Sequence, residues 1–182
     1  MLLVAIRSPA FDVAVDLLYA AADNFTGAPV YRRAECFLHA DAAARLEAAI
    51  TLARRLGLRF LVRDGFRPTE AQWRLWAHTP DPVFLADPRR GSPHSRGVAV
   101  DLTLLDSAGR PLDMGTAVDA FTPLSHHDAA VAPEAQRNRH LLLGLMTAAG
   151  WDHYAAEWWH YQLFDARRYP LLSDGAAGTR LM

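Results

Sequence analysis

Two short stretches far apart in the chain carry most of its capacity for chemistry. In Ser92-Pro93-His94-Ser95-Arg96-Gly97-Val98-Ala99-Val100-Asp101 an imidazole is followed seven residues later by a carboxylate. In Glu157-Trp158-Trp159-His160 another carboxylate and another imidazole stand three residues apart. Two imidazoles and one carboxylate suit a borderline-soft, four-coordinate ion such as Zn²⁺, and three protein ligands leave the fourth position for water. Zinc lowers the pKa of a bound water from ~15.7 to roughly 7 and polarises a peptide carbonyl. Glu157 is then the candidate general base. Arg67, in Asp64-Gly65-Phe66-Arg67-Pro68, is a permanent cation able to neutralise an oxyanion as a carbonyl becomes tetrahedral.

Each of these residues also has a purely structural explanation. A lone histidine among apolar neighbours is commonly a satisfied core group. Trp158 and Trp159 read first as core and site wall, and Arg67 as an ordinary loop arginine. Asp101 is different, because an ionised carboxylate inside a valine-rich strand needs a partner and a cation is a natural one. His39, His78, His126, His127, His140 and His153 have no comparable setting, and the neighbours His126 and His127 would not point at one ion from a regular strand.

The elements that must position these groups are readable in outline. Leu46, Ala49, Ile50, Ala53 and Leu56 recur at helical spacing, predicting a helix over Asp41 to Leu56 with Asp41 as its cap and Gly57 past its end. Leu58 to Asp64 alternates Leu58, Phe60 and Val62 against Arg59 and Arg63, the pattern of a strand entering the Gly65 to Pro68 loop. Thr69 is placed to cap a second helix, Glu70 to His78, which Pro80 and Pro82 stop. The proline-bearing stretch from Asp81 to His94 reads as loop, and Val98 to Leu105 as a strand with Asp101 in its middle. Pro133 to Ala149 reads as the third helix, ended by Gly150, and Glu157 to Phe164 as a short aromatic strand, with a helix as the alternative. Asp12 to Leu38 carries no clear pattern. Helices and strands mix without a regular βαβ rhythm, so the expected class is α+β, one domain over residues 1–182 with a small, mostly antiparallel sheet flanked by helices.

Composition sets limits on the partners. The 182 residues include 19 basic and 20 acidic ones, a formal charge of −1, which is no electrostatic footprint for nucleic acid or an anionic membrane. Cys36 is the single cysteine, so any metal must rest on His, Asp or Glu. The apolar run before Arg7 is too short for a signal-peptide core or a membrane span, which leads to the expectation of a cytoplasmic protein, or a periplasmic one if a precursor was trimmed. Nothing in the composition fixes the oligomeric state.

The two signatures, Ser-x-His-x-x-Gly-x-Ala-x-Asp and Glu-x-Trp-His, resemble those of the VanX-type D-alanyl-D-alanine dipeptidases, within the wider group of zinc peptidases that includes D,D-carboxypeptidases, peptidoglycan endopeptidases and the hedgehog signalling domain. The likeness extends through Tyr19 to Gly27, Asp64 to Pro68, His94 to Gly97, Asp101 to Leu104, Met114 to Asp119, Ser125 to His127 and Glu157 to His160, spanning roughly residues 17–170. It implies one Zn²⁺ per chain on the sheet, held by His94, Asp101 and His160, with Glu157 as base and Arg67 as transition-state stabiliser. It further implies that Asp119 receives the amino terminus of a free D-Ala-D-Ala dipeptide while Tyr19 and Ser92 hold its carboxylate. Such an enzyme would serve wall-fragment recycling or glycopeptide resistance. A D,D-carboxypeptidase or endopeptidase on the same site is the alternative, and a non-catalytic zinc-binding module a more distant one. The chain departs from the resemblance in a shorter loop between Arg67 and His94, in Phe66 where tyrosine is common and in Val118 where phenylalanine is common. The shorter loop predicts a more open pocket.

Overall fold

A computed structural model describes residues 3–182; the first two residues of the predicted single domain lie outside them. Among the described residues, β2 (Val13–Val15), β4 (Arg59–Asp64), β5 (Ala99–Leu105), β7 (Glu157–Gln162) and β6 (Asp152–Tyr154) lie side by side in that order in one sheet. Only β2 and β4 run parallel; the β4/β5, β5/β7 and β6/β7 pairs are antiparallel. A separate antiparallel pair joins β1 (Leu3–Ala5) to β3 (Phe37–His39). The mostly antiparallel α+β arrangement is thus the one the sequence predicts, with the strands between residues 3 and 39 added to it.

Three helices provide the packing. α1 (Ala40–Arg54) buries Ala42, Ala43, Leu46, Ala49, Ile50 and Ala53, one stripe at helical spacing. Its predicted cap is corrected: β3 runs directly into α1, so the cap is His39, whose Nδ1 accepts from the Asp41 amide at 3.1 Å. Asp41 instead sits in the first turn, where a carboxylate suits the helix dipole, and accepts a hydrogen bond from the Tyr169 hydroxyl at 2.7 Å. α2 (Thr69–His78) likewise begins one residue early, with Pro68 at the cap. α3 (Pro133–Ala148) starts on the predicted proline and packs against α1, β6 and β7.

Alternation along the central strands separates two environments. Phe60, Val62, Val100, Leu102, Leu104, Trp159 and Tyr161 are fully buried, each large apolar side chain contributing about 1.5–3 kcal/mol of transfer free energy. The intervening residues of β5 and β7, Asp101 and His160, face the other side and stand opposite each other in register. Two register shifts break the alternation where chemistry is needed. One, between Val62 and Asp64, sets Asp64 opposite Asp101. The other, between His153 and Tyr154, sets Tyr154 opposite Glu157. On a regular strand Glu157 and His160, three apart, would face opposite ways; at this irregular hairpin both line the same cavity.

Candidate active site

β5 and β7 deliver Asp101 and His160, and a short 3₁₀ turn, His94–Arg96, delivers His94. His160 Nδ1 lies 3.0 Å from Asp101 Oδ1, His94 Nε2 lies 3.3 Å from Asp101 Oδ2, and the two ring nitrogens are 3.1 Å apart. All three side chains are buried. The outer nitrogens of the rings are committed elsewhere: His94 Nδ1 faces the Gly65 carbonyl at 2.8 Å, and His160 Nε2 faces Gln162 Oε1 at 3.1 Å. Both outer partners only accept, so the outer nitrogens carry the protons and the atoms that converge are two imidazole lone pairs and a carboxylate. Three acceptors aimed at one point call for a cation, and these three residues are the group among the described residues whose geometry could hold a metal ion. Gly65 is required for this arrangement, since a Cβ there would meet Cys36 Sγ at 2.8 Å and the Phe37 carbonyl at 2.9 Å.

The remaining predicted residues surround a cavity of about 420 Å³, which Tyr19, Arg67, Ser92, His94, Asp101, Asp119, Glu157 and His160 all line. Arg67 is 4 % exposed, its Nε donating to Asp64 Oδ2 at 2.8 Å and its Nη2 lying 3.4 Å from Asp101 Oδ2. Its guanidinium lies 4.9 Å from the centre of the Tyr19 ring. Glu157 sits with Oε2 3.7 Å from His160 Nδ1. Ser92 Oγ accepts from the His94 amide at 3.2 Å, fixing the turn that carries the histidine. The structure brings Tyr19 and Asp119 together in a way no sequence pattern suggests: the tyrosine hydroxyl donates to Asp119 Oδ2 at 2.5 Å across a separation of 100 residues. Asp119 takes a left-handed backbone, φ 61°, to reach that position.

Charge is unevenly distributed in this pocket. Asp64, Asp101, Asp119 and Glu157 gather around Arg67, the buried guanidinium of the site, while Arg90 and Arg167, which also line the cavity, are exposed. Burial and the carboxylates of Asp101 and Asp119 hold Glu157 well above the usual carboxylate range. Burial and Asp101 push Asp119 up to about 6, against the opposing pull of Arg67. The deficit of positive charge is what a divalent ion and a substrate ammonium would supply.

Two further groups hold this machinery and carry no role in the motif reading. Asp64, fully buried, accepts from the Tyr31 hydroxyl at 2.9 Å as well as from Arg67. Gln72, 1 % exposed on α2, accepts from Arg67 Nη1 at 3.1 Å. For Gln72 the signal available in the sequence was placement, since it shares the buried stripe of α2 with Ala71 and Leu75; Asp64 is turned from the Phe60, Val62 face by the register shift that precedes it.

Comparison with known proteins agrees with this geometry. Residues 2–174 match the family described as D-Ala-D-Ala dipeptidase. The D-alanyl-D-alanine dipeptidase of Escherichia coli K12 is 46% identical over 164 residues, 90% of this chain and 85% of that protein. That of Streptomyces coelicolor is 37% identical over 172 residues, covering 81% and 84% respectively. That of Enterococcus faecalis is 35% identical over 173 residues, covering 82% and 85%.

Proposed function

The chain belongs to the D-Ala-D-Ala dipeptidase family, and from that premise we propose that it hydrolyses the free dipeptide D-Ala-D-Ala to two molecules of D-alanine. The observation that carries the reading is the convergence of His94, Asp101 and His160 in one cavity with Glu157 and Arg67. The metal is zinc, one per chain, held by those three residues; its donor set of two imidazoles and one carboxylate suits that ion. When bound, zinc supplies Lewis acidity to the scissile carbonyl and to the attacking water.

The side chains do the rest. Glu157 takes the proton of the attacking water and passes it to the departing amine. Arg67, held by Asp64 on one side, directs its remaining N–H groups at the oxygen that gains charge. Asp119 receives the substrate ammonium, while the hydroxyls of Tyr19 and Ser92 serve its carboxylate. For Tyr19 this requires its hydroxyl to turn from Asp119 as the ammonium takes that carboxylate over. A free dipeptide is charged at both ends, and a pocket that meets both ends selects it over longer chains.

Residues 1–182 act as one catalytic domain on this reading, and we place it in the cytoplasm. Among the described residues no helix is long and apolar enough to cross a membrane. The deciding experiment measures D-alanine released from D-Ala-D-Ala by zinc-loaded protein, with Glu157→Ala as the blank and a stem pentapeptide alongside. Hydrolysis of the dipeptide alone is the expected result. Cleavage confined to the pentapeptide would move the activity to a carboxypeptidase, and cleavage of neither would remove it.

A further inference from the structure

Gln72 does more than hold Arg67. Its amide has two partners of opposite character: Oε1 accepts from Arg67 Nη1 at 3.1 Å, and Nε2 donates to the Ala86 carbonyl at 2.7 Å. A guanidinium can only donate and a carbonyl can only accept, so the two partners fix which way the amide points. Ala86 belongs to the segment Pro82 to Asp87, which lines the cavity without forming helix or strand. The segment is anchored a second time, where the Tyr154 hydroxyl donates to the Val83 carbonyl at 2.9 Å. Tyr154 stands opposite Glu157 in the β6/β7 hairpin. Between the anchors, Phe84 stacks on Phe121 with ring centres 5.2 Å apart. This cavity-lining segment is therefore tied at one point, through Gln72, to the arginine and at the other to β6, the strand that pairs with the one carrying Glu157.

We propose that Gln72 is a positioning residue that couples this loop to the aim of Arg67, so that seating of the loop over a bound dipeptide and alignment of the guanidinium occur together. Arg67 is pinned by Asp64 through Nε and Nη2, and Gln72 holds the remaining nitrogen, Nη1. Without that bond the Nη1 edge of the guanidinium has no hydrogen bond among the described residues, and the group's aim rests on its Asp64, Asp101 and Tyr19 contacts alone. A displacement of about 1 Å at such a group costs on the order of 100-fold in rate. The catalytic part of this inference rests on the dipeptidase reading; the tether itself does not.

The test is Gln72→Met, which keeps the length and bulk of the side chain and removes both hydrogen bonds. The expected result is a fall in kcat of about 10- to 100-fold, with KM and bound zinc unchanged and amide hydrogen exchange of residues 83–87 accelerated. In the Arg67→Ala background Gln72→Met should cost nothing more, since the residue acts through the arginine. Gln72→Asn, whose amide is one methylene too short to span both partners, should show the same pattern, so the test survives poor folding of the first variant. Unchanged kcat, or an equal loss with and without Arg67, would overturn the coupling. If the native protein cleaves no dipeptide, the functional reading falls, while faster loop exchange in the variants alone upholds the tether and unchanged exchange refutes it.

Discussion

Two histidine pairs in this molecule have nearly the same spacing and opposite characters. His94 and His160 stand with ring centres 4.9 Å apart at 67°; His127 and His153 stand 5.1 Å apart at 85°. In the first pair the outer nitrogens are spent on Gly65 and Gln162, the inner ones meet Asp101, and Glu157 and Arg67 lie beside them. In the second pair both nitrogens of His127 are buried without a hydrogen-bond partner among the described residues, and His153 has only the exposed Asp152 at 4.0 Å. Ring proximity alone therefore does not make a candidate metal site. What does so is the set of partners that fixes each tautomer and brings a carboxylate to the point where the lone pairs meet.

Replacing a proposed ligand in the first pair has the largest expected effect. His160→Ala should lose bound zinc, measured by elemental analysis, and take dipeptide hydrolysis to background. Glu157→Ala comes next: zinc retained and kcat reduced about 100- to 10,000-fold. Arg67→Ala should retain zinc as well and lose about 100- to 1,000-fold. At the small end, His127→Gln and His153→Gln should leave zinc content unchanged and kcat/KM within about twofold, as for changes outside the site. Zinc loss in either of these would show that the second pair is a site after all.

The second pair has a pH signature of its own. Burial, reinforced by His153, Arg139 and His140, lowers the His127 pKa from 6.5 to about 4. The unfolded chain therefore binds a proton in the window between these values while the folded chain does not, so this residue's contribution to stability is intact above about 6.5 and is lost as pH falls toward 4. Urea midpoints measured across that window should fall less steeply in His127→Gln than in the native protein.

Much of the first pair's setting was legible because it lies on long, strongly patterned elements. The strand around Asp101, the strand around His160 and the helix from Ala40 stand within one or two residues of the predicted bounds. What escaped was short or distant. β1, β2, β3 and β6 have three residues each, too few for alternation to declare itself. The register shifts that set Asp64 opposite Asp101 and Tyr154 opposite Glu157 leave no mark in composition, and the Tyr19 to Asp119 hydrogen bond is a product of tertiary folding alone. Part of the loop between Arg67 and His94 lines the cavity, and Gln72 and Tyr154 hold it there, contacts that no local pattern declares.

The register of β5 against β7 has a consequence for how the molecule folds. Asp101 and His160 are 59 residues apart in the chain and become neighbours only when the last hairpin docks on the sheet. Local structure cannot assemble that pair, and non-local strand pairing of this kind is among the slower events in folding. An ion that binds the completed set and not the unfolded chain shifts the balance by mass action, by about 2.7 kcal/mol at a hundredfold excess over its dissociation constant. The catalytic ion would thus also be a clasp on the C-terminal hairpin, and stripping it should loosen that edge of the sheet before the helices let go.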